Sequence, residues 1–318
     1  MGLFSNSKKG CPVCGEATPR LFPTKVEGAP ICKECSKKIF LPEGMLDSMT
    51  IDSFRQYMNY YENNNSLREG FTKTYDFYFP VGVSDVVLDT SKGLFRLKDD
   101  KNALVFQASC IKSFRIFEGN DLLFESQGNK LKCYESDVPD KVRGMHSVLE
   151  QFKARRQQYE FMKNMERREE EAARQRGETY QGRYISEPAF DGNEPFDNFR
   201  LEMVMDDPYW SIFIGEVYGP KFNRTHPSID SFIRDYQNAA EKIHDLAANL
   251  MQFMCPGAGE IRSGSMAEGT AVIGQMQPET TSGGSDAIGE IKKYKELLDA
   301  GIITEEEFAL KKRQLLGL

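Results

Sequence analysis

The sequence is poor in the residues that most often carry chemistry. Its 318 residues include three histidines, and one tryptophan. His146, His226 and His244 stand isolated from one another, and no phosphate loop, G-x-S-x-G, H-E-x-x-H or dinucleotide fingerprint occurs. His244 falls on a helical stretch where a packed or surface histidine is the ordinary case. Long apolar runs are missing as well, the most apolar stretch being the strand-sized Trp210 to Tyr218, so nothing here reads as a membrane span. The N-terminus is too short and polar for a signal peptide, and Asn6 stands where a myristoylation pattern wants Ser or Thr. Neither sign of charge dominates, with a net charge of -7 and a mean hydropathy of -0.53. These absences predict a non-enzymatic, cytoplasmic chain with no small-molecule substrate, long enough for two or three domains.

Seven cysteines are present, and four of them are spaced as metal ligands. Cys11-Pro-Val-Cys14 and Cys32-Lys-Glu-Cys35 form a C-x2-C-x17-C-x2-C pattern within the range of zinc sites. Two residues between thiolates let one tight turn offer both sulfurs to the same ion, and Pro12 and Gly15 favour such a turn. Cys35 leads into Ser-Lys-Lys-Ile-Phe, a short helix whose N-terminus suits thiolate charge. Four thiolates leave no open position, so the expected cofactor is structural Zn2+ rather than a catalytic ion. A redox C-x-x-C is expected beside a βαβ pattern, which is not visible here. Lys8, Lys9, Arg20, Lys25, Lys33, Lys37 and Lys38 against Glu16, Glu27 and Glu34 give +4, which largely balances a cluster of charge -2 without invoking nucleic acid. Cys110, Cys133 and Cys255 show no pairing pattern.

Residues 50 to 65 read as a helix opened by Thr50, with Ile51, Phe54, Tyr57, Met58 and Tyr61 on one side. From Tyr75 the period changes to two: Tyr75, Phe77 and Phe79, then Val86 and Leu88, Phe95 and Leu97, Leu104 and Phe106, Phe114 and Ile116, Leu122 and Phe124. Turn signals between them predict an antiparallel meander, with a seventh short strand over Lys130 to Glu135. Residues 141 to 177 then form a charged helix, ten Lys and Arg against six acidic residues between 141 and 176, a net +4. Arg155 interrupts its heptads, which argues against a long coiled coil. Gly177 to Asn198 reads as a polar loop. Alternation returns at Phe199, Leu201, Met203 and Met205, turns at Asp206 to Tyr209 and continues from Ile212 to Tyr218. Pro227 to Met254 closes the set as a long amphipathic helix with a wide apolar stripe. Strands first, one long helix last, is an order that resembles pleckstrin-homology-like domains of bacterial proteins. The resemblance implies a β domain at 71–254 closed by that helix, interrupted by an insertion at about 130–198.

Residues 255–285 are rich in Gly, Ser and Thr and read as a flexible tether. Beyond it, Leu-Leu-Asp-Ala-Gly-Ile-Ile-Thr-Glu-Glu-Glu-Phe, completed by Lys-Lys and Leu-Leu, forms two short helices. Gly301 ends the first, and Thr304 with Glu307 makes a capping box for the second. The phrase is similar to the short C-terminal domain called SHOCT, found at the ends of many bacterial and phage proteins, and implies a small oligomerisation or docking element. Ile291, Tyr294, Leu297, Leu298, Ile302, Ile303, Phe308, Leu310, Leu315 and Leu316 are too many apolar groups for a hairpin to hide alone.

The expected architecture is thus a multidomain α+β chain: a treble-clef or ribbon-like zinc module at 1–40, a helical connector at 41–70, the β domain, the tether, and a helical hairpin at 286–318. The order is similar to multidomain proteins of Gram-positive bacteria and their phages, a likeness that supplies no catalytic residues. The expected role is a zinc-binding scaffold or adaptor that self-associates, or docks on another protein, through its tail. The alternative is a nucleic-acid-associated protein using the zinc module and the basic helix 141–176, whose binding would weaken steeply with salt. A membrane-surface role would need a cationic rim that 75–126 shows only weakly.

Overall fold

Thr50 opens the first long helix as its hydroxyl accepts the Ser53 N–H at 3.2 Å, the local bond that lets a chain enter a helix. The computed structural model describes residues 10–190, 192 and 194–257. The tether beyond Gly257 and the C-terminal hairpin, with every tail residue named above, lie outside the described residues.

In chain order, a small head holds a hairpin, β1 (Lys25–Val26) with β2 (Ala29–Pro30), and a helix, α1 (Lys33–Lys37). Helices α2 (Ile51–Asn63) and α3 (Asn65–Gly70) follow. Strands β3 (Tyr75–Phe79), β4 (Ser84–Asp89), β5 (Leu94–Arg96) and β6 (Phe106–Gln107) form one antiparallel sheet in that order. The second sheet contains β7 (Ile111–Glu118), β8 (Asp121–Gln127) and β9 (Lys130–Cys133), then, after helices α4 (Val138–Gly144) and α5 (His146–Gln175), β10 (Asn198–Met205) and β11 (Ile212–Tyr218). Helix α6 (Ile229–Met254) comes last.

The expected single meander is two sheets. The chain turns between them at Ala108–Cys110, and the five-stranded sheet runs β11-β10-β7-β8-β9. Strand β10 returns from beyond the insertion to pair with β7, Phe199 opposite Glu118 and Met203 opposite Phe114. Alternation tells which face each side chain takes, but pairing partners far apart in the chain leave no local mark. The two sheets meet where Val81 bridges to Glu216. There the Phe79 ring lies over the β11 backbone, and a Cβ on Gly215 would stand 2.7 Å from it, so only glycine fits.

Two other expectations need revision. Leu104 is buried without belonging to a strand. The buried Asn64 side chain takes over the ladder there, donating from Nδ2 to the Val105 carbonyl at 2.7 Å and accepting the Val105 N–H at 2.9 Å. The stretch from Gly177 to Asn198 has no regular element before β10, as expected of a loop, yet it is pinned by two aromatics. Phe190 packs edge-on against Phe152 and Phe222, and Phe196 against Phe199 and Tyr236.

Helix α6 spans about 39 Å at 1.5 Å per residue. Its stripe buries Phe232, Tyr236, Ala240, Ile243, Leu246, Ala247, Leu250 and Phe253. Phe253 meets Phe95 of the first sheet, while Tyr236 stacks on Phe199 of the second. One helix therefore seals both sheets. No helix among the described residues is long and apolar enough to cross a membrane.

Beside this helix lies Glu118, 2% exposed, its Oε2 accepting from the Ser136 hydroxyl at 2.5 Å and its carboxyl facing the Tyr236 hydroxyl of α6. Burial pushes its carboxyl above the ordinary value of 4.5, because the apolar surroundings penalise the charged form. An acid whose folded pKa is raised loses stability as pH climbs from the unfolded value through the folded one. Glu118→Gln is therefore expected to flatten stability above about pH 4.5 and to gain about 1 kcal/mol at neutral pH. Urea midpoints measured at pH 4 and pH 7.5 check this, and a variant weaker than the parent at both would contradict it.

Candidate metal centre

Two turns build the site. Gly15, at a φ of 80°, closes the first, where its N–H donates to the Cys11 carbonyl at 2.8 Å. In the second, Cys32 caps α1 and its sulfur accepts the Cys35 N–H at 3.4 Å. The helix thus begins at Lys33, three residues earlier than the pattern suggested, and Cys35 lies in its first turn. Between the turns the β1–β2 hairpin reverses through Glu27 and Gly28, both at positive φ, the backbone that a two-residue hairpin requires.

These turns bring the sulfurs of Cys11, Cys14, Cys32 and Cys35 within 4.8 Å of one another. Separations are 3.9 Å for Cys11–Cys35, 3.4 Å for Cys14–Cys32 and 3.6 Å for Cys14–Cys35. Tetrahedral thiolates at the usual zinc–sulfur distance stand about 3.8 Å apart, so the cage matches a single ion. Cys11, Cys32 and Cys35 are buried, while Cys14 is exposed.

The electrostatics fit the same reading. Burial opposes charge on Cys11, but the backbone N–H groups of Cys14 and Cys32 outweigh it and bring the thiol down to about 7. Cys35 is pushed well above its ordinary value, first by burial and then by the sulfurs of Cys14 and Cys32. Four crowded thiols thus want a cation before all can ionise.

The head is fastened to the rest of the molecule through α2. Tyr57, fully buried, donates its hydroxyl to the Lys38 carbonyl and accepts the Phe40 N–H, both at 2.7 Å. Glu27 accepts the Ile51 N–H at 2.9 Å, and Arg55 donates to the Pro12 carbonyl at 2.6 Å. Trp210, from the turn before β11, donates to the Phe40 carbonyl at 3.1 Å. Spacing could find the four clustered cysteines, but the fastening by Tyr57 and Trp210 carried no signal beyond their being aromatic.

The histidines remain apart from this centre. His226 is exposed beside Thr225. His146 begins α5, and His244 is buried edge-on to Phe124 with Nε2 unpartnered. In the basic stretch, Lys141 pairs with Asp137, Arg143 with Asp140, Lys153 with Glu150 and Arg156 with Glu187, at 2.8–3.0 Å.

The family model described as SHOCT, Short C-terminal domain, matches residues 290–316, a span holding all the tail residues singled out from the sequence. Comparison with curated proteins and with solved structures returned no match.

Proposed function

We propose that this protein is a non-enzymatic adaptor: a zinc-stabilised head fused to a β body, with a tail that joins copies of the chain or docks them on another protein. The observation that carries the reading is the closed four-sulfur cage. An ion held by four thiolates has no position for substrate or water, and the head, too small for its own core, gains its stability from the ion. Zinc is the metal that such a set takes most readily. Knuckle, hairpin and short helix follow one another as in a treble clef, and two antiparallel sheets under a closing helix support the pleckstrin-homology-like reading of the body.

The head also presents a recognition element. Leu21 and Phe22 project from the segment between the cysteine pairs, 80% and 100% exposed, with Phe22 held at a φ of 48°. A large apolar residue in that conformation is strained and uncovered at once, which suits a contact made with a partner. A tail that gathers several such heads would add weak contacts into a strong one. Nucleic-acid binding is the weaker reading, since much of the basic stretch is neutralised within the chain.

Two measurements test this. Elemental analysis of protein purified without added metal should find one zinc per chain. Light scattering should give the full chain a higher mass than a chain ending at Gly284, with Leu297→Glu/Leu298→Glu reproducing the truncation. Equal masses for all three would remove the tail from the account, and absence of zinc would remove the head.

A further inference from the structure

The chain leaves the head at Phe40, five residues beyond Cys35. The backbone of Phe40 is held on both sides: its N–H donates to the Tyr57 hydroxyl at 2.7 Å, and its carbonyl accepts from Trp210 Nε1 at 3.1 Å. The two rings of Phe40 and Trp210 lie 5.3 Å apart. One short stretch of chain therefore joins the sulfur cage to a side chain that stands 170 residues from Phe40 in the sequence.

Trp210 belongs to the turn between β10 and β11, and one carboxylate organises that turn. Asp207 Oδ1 accepts the N–H groups of Tyr209 and Trp210, both at 3.0 Å, while Oδ2 accepts the Tyr60 hydroxyl of α2. The Tyr209 ring lies 5.1 Å from the rings of both Tyr57 and Tyr60. On its other side the turn is tied to the junction of the two sheets. There the Asp206 N–H donates to the Cys110 carbonyl at 2.7 Å, and the Asp206 carboxylate pairs with Lys112 at 2.8 Å.

We propose that the β10–β11 turn is a positioning element for the metal centre and, through the same contacts, the relay by which metal occupancy reaches the β body. This rests on the metal reading above and extends it. The head is the two-state element, ordered with the ion and unfolded without it. When ordered it presents Phe40 to Trp210; when unfolded it leaves the indole N–H without its acceptor and one side of the ring bare. Such coupling is reciprocal. Ion binding must order the stretch after Cys35, which costs conformational entropy, and a turn that already holds Phe40 offsets part of that cost. Residues that are not ligands thus set the affinity of the cage, and the ion in turn sets the packing at the junction of the sheets.

Zinc affinity of the full chain, measured by competition with a chromophoric chelator, tests the positioning role. Trp210→Phe keeps a ring against Phe40 but loses the donor, and should weaken zinc binding by about fivefold. Asp207→Ala frees the whole turn and should weaken it by about 20-fold, with Tyr60→Phe between Asp207→Ala and the parent. A turn that served stability alone would lower the melting temperature and leave zinc affinity at the parent's value. Trp210 is the only tryptophan in the chain, so its fluorescence tests the relay. Chelation should shift the parent's emission to the red, and added zinc should return it. The proposal is overturned if Trp210→Phe and Asp207→Ala both bind zinc within about twofold of the parent, or if emission stays fixed while the chelator takes up the ion. Should Asp207→Ala fail to fold, Trp210→Phe and Tyr60→Phe decide by the same criterion. A parent that takes up no zinc removes the metal reading and this one with it, whereas zinc uptake by the parent with unshifted variants removes this one alone.

Discussion

Cys32→Ala should produce the largest loss of any single substitution in the described residues: the head, residues 10–40, unfolds at room temperature. Cys32 is both a sulfur of the cage and the cap of α1, its sulfur taking the Cys35 N–H. Structural zinc contributes about 10 kcal/mol or more to the folding of small modules, and a site with three ligands keeps only part of that. The damage spreads to α2, because the Tyr57 hydroxyl is held between Lys38 and Phe40. Trypsin should then cut rapidly after Lys33, Lys37 and Lys38, and a strong chelator should have the same effect on the parent protein. Protons compete with the metal, so zinc affinity should rise with pH as the thiols ionise. With the metal-free Cys11 thiol at about 7, the slope should lessen by one proton above neutrality. A metal-free chain as resistant to trypsin as the loaded one would refute the account.

Asn64→Ala is expected to cost about 2–4 kcal/mol, since it strands the N–H and the carbonyl of Val105 in the interior. For a domain of this size that lowers the melting temperature by roughly 5–10 °C. Asn64→Asp adds a test of sign. The ionised side chain still accepts the Val105 N–H but repels the carbonyl, whereas the protonated one can donate to it. The variant should therefore recover part of its stability as pH falls from 7 towards 5, opposite to an ion-paired carboxylate. Melting temperatures of the three proteins across that range check it, and an alanine variant within a few tenths of a kcal/mol of the parent would be the contrary result.

What could be read from the chain followed local physics. The spacing of Cys11, Cys14, Cys32 and Cys35 needs only two tight turns to become a cage, and both formed. The stripe of α6 was legible because burial on one face repeats every three or four residues, and the Thr50 cap because its bond spans three. Asn64 was not legible. A polar side chain at the junction of two helices looks like a cap, and only the approach of Val105, 41 residues away, turns it into part of a sheet. The same holds for Glu118, which reads in the sequence as the start of a turn but is the last residue of β7, and whose burial depends on α4 and α6 closing over it. Phe190 and Phe196 sit in a polar stretch that composition alone describes as free loop.

Periodicity and short-range spacing by themselves determined the four-cysteine cluster, the type of the longer helices and strands and the faces those elements bury. Each of these arises from residues a few positions apart, whose geometry the backbone settles without outside help. The tertiary structure alone decided that the strands divide into two sheets, that β10 crosses the insertion to pair with β7, and that Asn64 and Glu118 are interior. Such contacts join segments far apart in the chain, and the free energy that selects them comes from burial shared among many side chains, which no local pattern records.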